Sequence, residues 1–221
     1  MPPPFDPVAA RRLREQLGMS HANISHGMWA SYGLRVHPAT VFAWERGEAV
    51  PDERELTALA GALWCAPADL LGRPTTLREW RWARGITSPD LAHQLGMRRG
   101  DYERMEERGR WSGNARQSAL LGQLLDIPLP DLLAVTGRAE KLADHLRSTA
   151  KVRWQAYAGP VCAMVPLPRE RVEEALRRIN EEYHALMAST LSWSASASAE
   201  DKGGPYLDGV LDRFWTLLGM K

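Results

Sequence analysis

The chain has 221 residues, 44% of them apolar and 25% charged, a balance expected of an ordinary soluble globular protein of one to three small domains. No apolar run reaches the roughly 18 residues a membrane span needs, so none is expected. The charges, 28 Lys+Arg against 27 Asp+Glu, exclude the strongly basic profile of a non-specific nucleic-acid coat.

The balance is just as even locally. Residues 1–73 carry 7 Lys+Arg against 8 Asp+Glu, residues 74–137 carry 9 against 8, and residues 138–221 carry 12 against 11. Any positive surface must come from the placement of single arginines, which outnumber lysines 24 to 4. The N-terminal MPPPFDPVAARR lacks the apolar core of a signal peptide. Cys65 and Cys162 stand far apart without a CxxC pair, which fits a reducing cytoplasm and argues against a disulfide framework or structural zinc. The histidines show no ligand spacing, so neither a metal nor another cofactor is expected. No phosphate-binding GxxxxGK loop, GxGxxG turn, HExxH or GxSxG occurs, and no enzyme is expected.

In chain order, residues 1–7 are proline-rich and read as extended or frayed. Val8–Leu17 reads as a helix with Val8, Leu13 and Leu17 as core candidates and Gly18 as its stop. Ser20 can cap a second helix from His21, with Ile24, Met28 and Trp29 inward and Tyr32-Gly33 at its end. Val36–Gly47, VHPATVFAWERG, reads as a short helix with Val36, Val41 and Trp44 on one face, Pro38 in its first turn and Gly47 as its stop. Its other face is free to touch something. Helix, tight turn, helix is the order of a helix-turn-helix, whose second helix enters the DNA major groove. Asp52 caps a fourth helix carrying Leu56, Leu59, Ala60 and Leu63, and Pro67–Leu71 closes the module at Gly72.

The order then repeats, which marks an internal duplication. Leu77–Arg84 is a helix stopped by Gly85. Thr87 and Asp90 form a capping box ahead of Leu91, Ala92 and Leu95. Met97, Tyr102 and Met105 fall where Val36, Val41 and Trp44 fell. Ala115–Leu125 matches the fourth helix, and Pro130–Val135 with Gly137 matches the fifth. Beyond it, Arg138–Tyr157 is an amphipathic helix with Leu142, Leu146, Ala150 and Trp154, and Gly159–Pro168 is a proline-broken connection. Arg169–Trp193 carries Val172, Leu176, Ile179, Tyr183 and Leu186 as a heptad seam that calls for a partner, here a second copy of the chain. The same helix can instead pack on Leu142–Trp154 and Leu207–Leu218 of its own chain. Ser192–Gly204 reads as a low-complexity linker, and Tyr206–Leu218 as a closing amphipathic helix. The fold class expected is all-α: two tandem five-helix modules, residues 1–73 and 74–137, then a helical dimerisation or effector region, residues 138–221. Trp154, Tyr157, Tyr183 and Trp193 could line an effector pocket there, or simply pack as core.

On Ser20, Val36 and Val41-Phe-Ala-Trp-Glu-Arg-Gly47, the first module resembles the Cro/CI repressor and Xre family of helix-turn-helix regulators. Thr87, Met97 and Met105-Glu-Glu-Arg-Gly109 match more loosely in the second. The resemblance implies operator DNA as partner, commonly bound by a dimer, and transcription regulation in the cytoplasm. It places base readout at Arg35, His37, Ala39, Thr40 and Ala43, and in module two at Arg98, Arg99, Asp101 and Arg104. Thr40 suits a base edge or a thymine methyl, Ala43 only the methyl, and an arginine suits bidentate contact to guanine, each good pair discriminating by ~1–3 kcal/mol. Arg46 and Arg108 fit the helix end or a phosphate, which positions without specifying. Two departures stand out. Module one has about six extra residues between Ile24 and Val36. The family's frequent Gln at the second position of the capped helix is replaced by His21 and Ser88. Asp101, Glu103, Glu106 and Glu107 also bring negative charge to a surface meant for phosphate. With the near-zero net charge, they keep open an alternative in which the modules bind a protein such as a toxin or sigma factor. Counterion release separates the two, because DNA binding weakens steeply with salt.

Overall fold

The computed structural model describes residues 4–193 and 203–220. Among them every regular element is helical, so the fold is all-α. None of these helices is long and apolar enough to cross a membrane. The chain divides into two compact units, Met1–Ile127 and Pro128–Lys221.

The first unit opens with α1 (Pro7–Gln16), whose Asp6 carboxylate accepts the Val8 and Ala9 N–H groups. That cap sets the phase of the helix. Ala9 and Ala10 turn inward, Val8 is left 75% exposed and Leu17 38% exposed, against the expectation that both line the core. Pro4–Asp6 is not frayed: Asp6 N donates to the Leu70 carbonyl and Gly72 N to the Pro4 carbonyl, each at 2.8 Å. Helix α2 (His21–Tyr32) has a capping box of Ser20 and Asn23 and stops at Gly33, which takes φ +66°. Trp29, expected inside, lies exposed on it. Helices α3 (Pro38–Glu45) and α4 (Glu53–Ala62) start from His37 and Asp52, and a 3-10 turn (Pro67–Leu70) follows. Ile24, Met28, Val41, Trp44, Leu56 and Leu70 are fully buried in one core.

Four further helices repeat this order: α5 (Leu77–Ala83), α6 (Ser88–Gln94), α7 (Arg99–Arg108) and α8 (Ala115–Leu125). Thr87 caps α6, but the expected box does not close. The Asp90 carboxylate takes the Thr87 hydroxyl instead of its N–H. Leu91, Tyr102, Leu121 and Leu125 are fully buried, while Met97 and Met105 are half-buried. Of the paired tryptophans of α5, Trp82 is buried in the core of the first module and Trp80 is half-buried.

The second unit holds α9 (Leu129–Val135), α10 (Ala139–Lys151), α11 (Gln155–Met164), α12 (Arg169–Trp193), α13 (Gly203–Asp208) and α14 (Val210–Leu217). Helix α9, expected to close module two, gives Leu133 to the core of this unit, whereas the matching turn of module one packs Leu70 and Leu71 on the module-one core. The long helix expected over residues 138–157 ends at Lys151, and the expected connection over residues 159–168 is mostly α11. Ala158, Val161 and Val165 recur there at helical spacing on the buried side, so Pro160 is accommodated within the helix. The heptad seam is closed within one chain. Val172, Leu176 and Ile179 are fully buried among α10, α11 and α14, which bring Leu142, Leu146, Val161, Val210 and Phe214 against them. An apolar seam demands burial but does not say whose helices supply it. Only Tyr183 and Leu186, further along α12, are left half-buried. Trp154, Tyr157 and Tyr183 pack on the same core. The Trp193 side chain and most of the linker read at residues 192–204 lie outside the described residues.

Candidate nucleic-acid interface

The Trp-Glu-Arg-Gly ending of α3 acquires a physical meaning from its glutamate. Arg14 of α1 grips Glu45 with two parallel hydrogen bonds of 2.6 and 2.8 Å, and donates a third to the Met19 carbonyl at 2.9 Å. His21 Nε2 lies 3.1 Å from the same carboxylate. The Glu45 side chain is 6% exposed. Burial alone would raise its carboxyl. The hydrogen bonds from Arg14 and His21, with the Arg14 charge, outweigh burial and hold it below the usual 4.5. Glu45 is therefore a strut that fixes α3 against α1 and the start of α2.

Module two builds the same strut. Arg81 of α5 donates to Glu106 of α7 at 2.7 Å and to the Ile86 carbonyl at 2.9 Å, and Tyr102 donates to the same glutamate at 2.5 Å. In each module the arginine reaches the carbonyl five residues ahead. The two ion pairs span 31 and 25 residues, so the extra length of module one falls between them. It goes mostly into α2, 12 residues against 7 in α6, and leaves Trp29 and Tyr32 exposed.

With their inner faces fixed, α3 and α7 turn opposite kinds of surface outward. On α3, Ala39 is exposed, and Thr40 and Ala43 are half-buried. Phe42, which the apolar spacing passed over, is 47% exposed, edge-on to His21 and covered on one side by Arg46 at 5.4 Å. Arg46 also pairs with Glu48 at 2.6 Å, and Arg35 stands 6.0 Å over the Trp29 ring. The His37 Nδ1 accepts the Ala39 N–H, which leaves Nε2 as the outward nitrogen, a donor in the neutral ring. Since His21 spends Nε2 on Glu45, its role here is to hold α3.

On α7 the outward side chains are charged. Arg98 and Arg104 both bond Asp101, and Arg99 bonds Glu103 at 2.7 Å. Ser88 donates to Glu103 at 3.0 Å, so it too serves the structure of its own module. Three of the four acids expected to repel phosphate are neutralised: Glu106 lies buried under Arg81, and Asp101 and Glu103 are paired. Exposed pairs of this kind are worth ~0–1 kcal/mol each, so an arginine can trade its carboxylate for a phosphate or a base edge. Arg104, Arg108 and Arg110 rim a cleft of about 570 Å³ floored by Met97, Met105 and Trp111. Among the described residues Arg108 and Arg110 make no ion pair, and no three His, Cys, Asp or Glu side chains converge as a metal site. Phe42 and Arg110 were not legible as site residues. The signal available for Phe42 was its place beside Val41, off the buried stripe.

No family model, no curated protein and no solved structure matches this chain, so a functional reading rests on these residues themselves.

Proposed function

We propose that the chain is a sequence-specific DNA-binding transcription regulator of the Cro/CI and Xre kind, acting in the cytoplasm. The twin struts carry this reading: Arg14–Glu45 and Arg81–Glu106 each clamp the helix after a capped helix and a turn, so that its other face projects from the core. The α3 and α7 faces would enter the major groove, and Arg46, Arg108 and Arg110 would meet backbone phosphates. The α12 seam is spent on the core of its own unit, so it does not enter this reading as a dimer contact.

Selection from random duplex DNA with the full chain, repeated at two salt concentrations, tests the reading. An enriched sequence whose affinity falls linearly with salt on logarithmic axes is the expected result. The exposed Phe42 and the near-neutral charge favour a second reading, a helix-turn-helix surface for a protein partner. No enrichment at either salt would shift the assignment to it.

A further inference from the structure

We infer that a single chain reads a non-palindromic duplex site made of two unlike halves at fixed spacing, one for each module; this rests on the DNA-binding reading above. A palindrome mirrors two identical recognition helices related by a two-fold axis. The structure supplies a different arrangement, with two recognition helices in one chain, chemically unlike and joined through a buried arginine.

The join is made by Arg81, whose side chain is 2% exposed. Its guanidinium bonds Glu106 on α7 at 2.7 Å and Glu53 in the first turn of α4 at 2.5 Å. Glu53 stands one loop beyond α3. One side chain thus ties the reading helix of module two to the element that follows the reading helix of module one. Trp82, the next residue, is buried in the core of module one beside this cluster. Drawing the modules apart would break the Arg81–Glu53 pair and pull Trp82 out of the core of module one, exposing an indole that is now buried. The modules therefore behave as one body rather than as beads on a tether.

The two faces call for different bases. Ala39, Phe42 and Ala43 on α3 offer apolar contact, which fits thymine methyl groups in an A·T-rich half. Arg98, just before α7, and Arg99 and Arg104 on it fit guanine in the other half. Arg108, the last residue of α7, and Arg110 just beyond it supply the charge complementarity to phosphate that this half needs.

The test is selection with the full chain, followed by binding to the winning site with one and five base pairs inserted between its halves. The expected result is an asymmetric site, with affinity reduced about tenfold or more by either insertion, since one half is lost. Phe42→Ala should relax preference in the A·T half alone, and Arg99→Ala in the G half alone. Both positions are exposed, so neither substitution threatens the fold. A palindrome, or a site indifferent to the insertions, overturns this inference while leaving DNA binding intact. No enriched sequence at either salt overturns the DNA-binding reading and this inference with it.

Discussion

At the residue scale the decisive groups are buried charges. Glu45→Gln removes the acid that satisfies Arg14 and leaves a guanidinium only 11% exposed without its partner. Breaking a buried pair from one side costs about 3–5 kcal/mol, and urea denaturation should show a loss of that order. The sign of the pH dependence follows from the same carboxylates. Glu45 and Glu53 titrate below 4.5 in the folded chain, each despite burial and because of its arginine. Their folded values lie below the unfolded ones, so their contribution is complete above pH 4.5 and is lost as pH falls through the folded values. Thermal melts from neutral to acid pH should show a stability loss beginning near pH 4.5, and Glu45→Gln should shallow it. The Trp-Glu-Arg-Gly string was visible in the sequence. That its glutamate points inward and its phenylalanine outward was not, because the ion pair depends on an arginine 31 residues away. Trp64 was equally silent. It follows α4 with φ +52° and 81% exposure, holding a left-handed conformation that glycine usually fills. Such a conformation costs a bulky residue ~1–2 kcal/mol. Glycine gives part of that back through unfolded-state entropy. Trp64→Gly should therefore raise stability by ~0.5–1 kcal/mol in the same denaturation assay.

Elements whose signals are local were legible from sequence alone. Ser20, Asp52 and Thr87 each cap the helix that follows, and the glycines at 18, 33, 47, 85 and 96 each take positive φ just past a helix. Elements whose ends are set from afar were not. Nothing near Lys151 announces a stop. The stop comes from α12, where the Asn180 amide donates to the carbonyls of Thr149, Ala150 and Val152 at 2.9, 3.1 and 2.7 Å. One side chain thus caps α10 and turns the chain into α11, and a residue 28 to 31 positions distant cannot be found by reading periodicity. Asn180→Ala should leave these carbonyls short of a donor and cost about 1–3 kcal/mol. Urea denaturation measures the loss, and faster amide exchange over residues 149–158 than elsewhere in the unit would place it at this junction.

For the whole molecule, the periodicity of α12 marks an apolar seam but does not name its partner. Burial of Val172, Leu176 and Ile179 within the unit names it for most of the seam. The boundary between the units moved for a related reason. The likeness of residues 129–134 to residues 66–72 placed α9 at the end of module two, yet likeness of sequence does not fix which core receives a leucine. Leu133 is 2% exposed in the core that also holds Leu142 and Leu146. Two fragments separate these boundaries. A chain ending at Ile127 keeps α1 to α8, both struts and the Arg81 cluster, and it should unfold cooperatively as a monomer. A chain ending at Gly137 carries α9 without the helices that cover Leu133, and should expose that leucine with Leu129 and Leu132. Sedimentation and binding of an apolar dye distinguish the outcomes, with more dye bound and greater self-association expected for the longer fragment. Equal behaviour of the two would show that α9 has found cover in the first unit, and would return the boundary to Gly137. The full chain should sediment as a monomer at micromolar concentration, because a dimer through α12 would have to strip α10 and α14 from residues already buried. A concentration-dependent dimer abolished by Leu186→Asp would use the half-buried end of the seam at Tyr183 and Leu186, and one that survives it would use another surface.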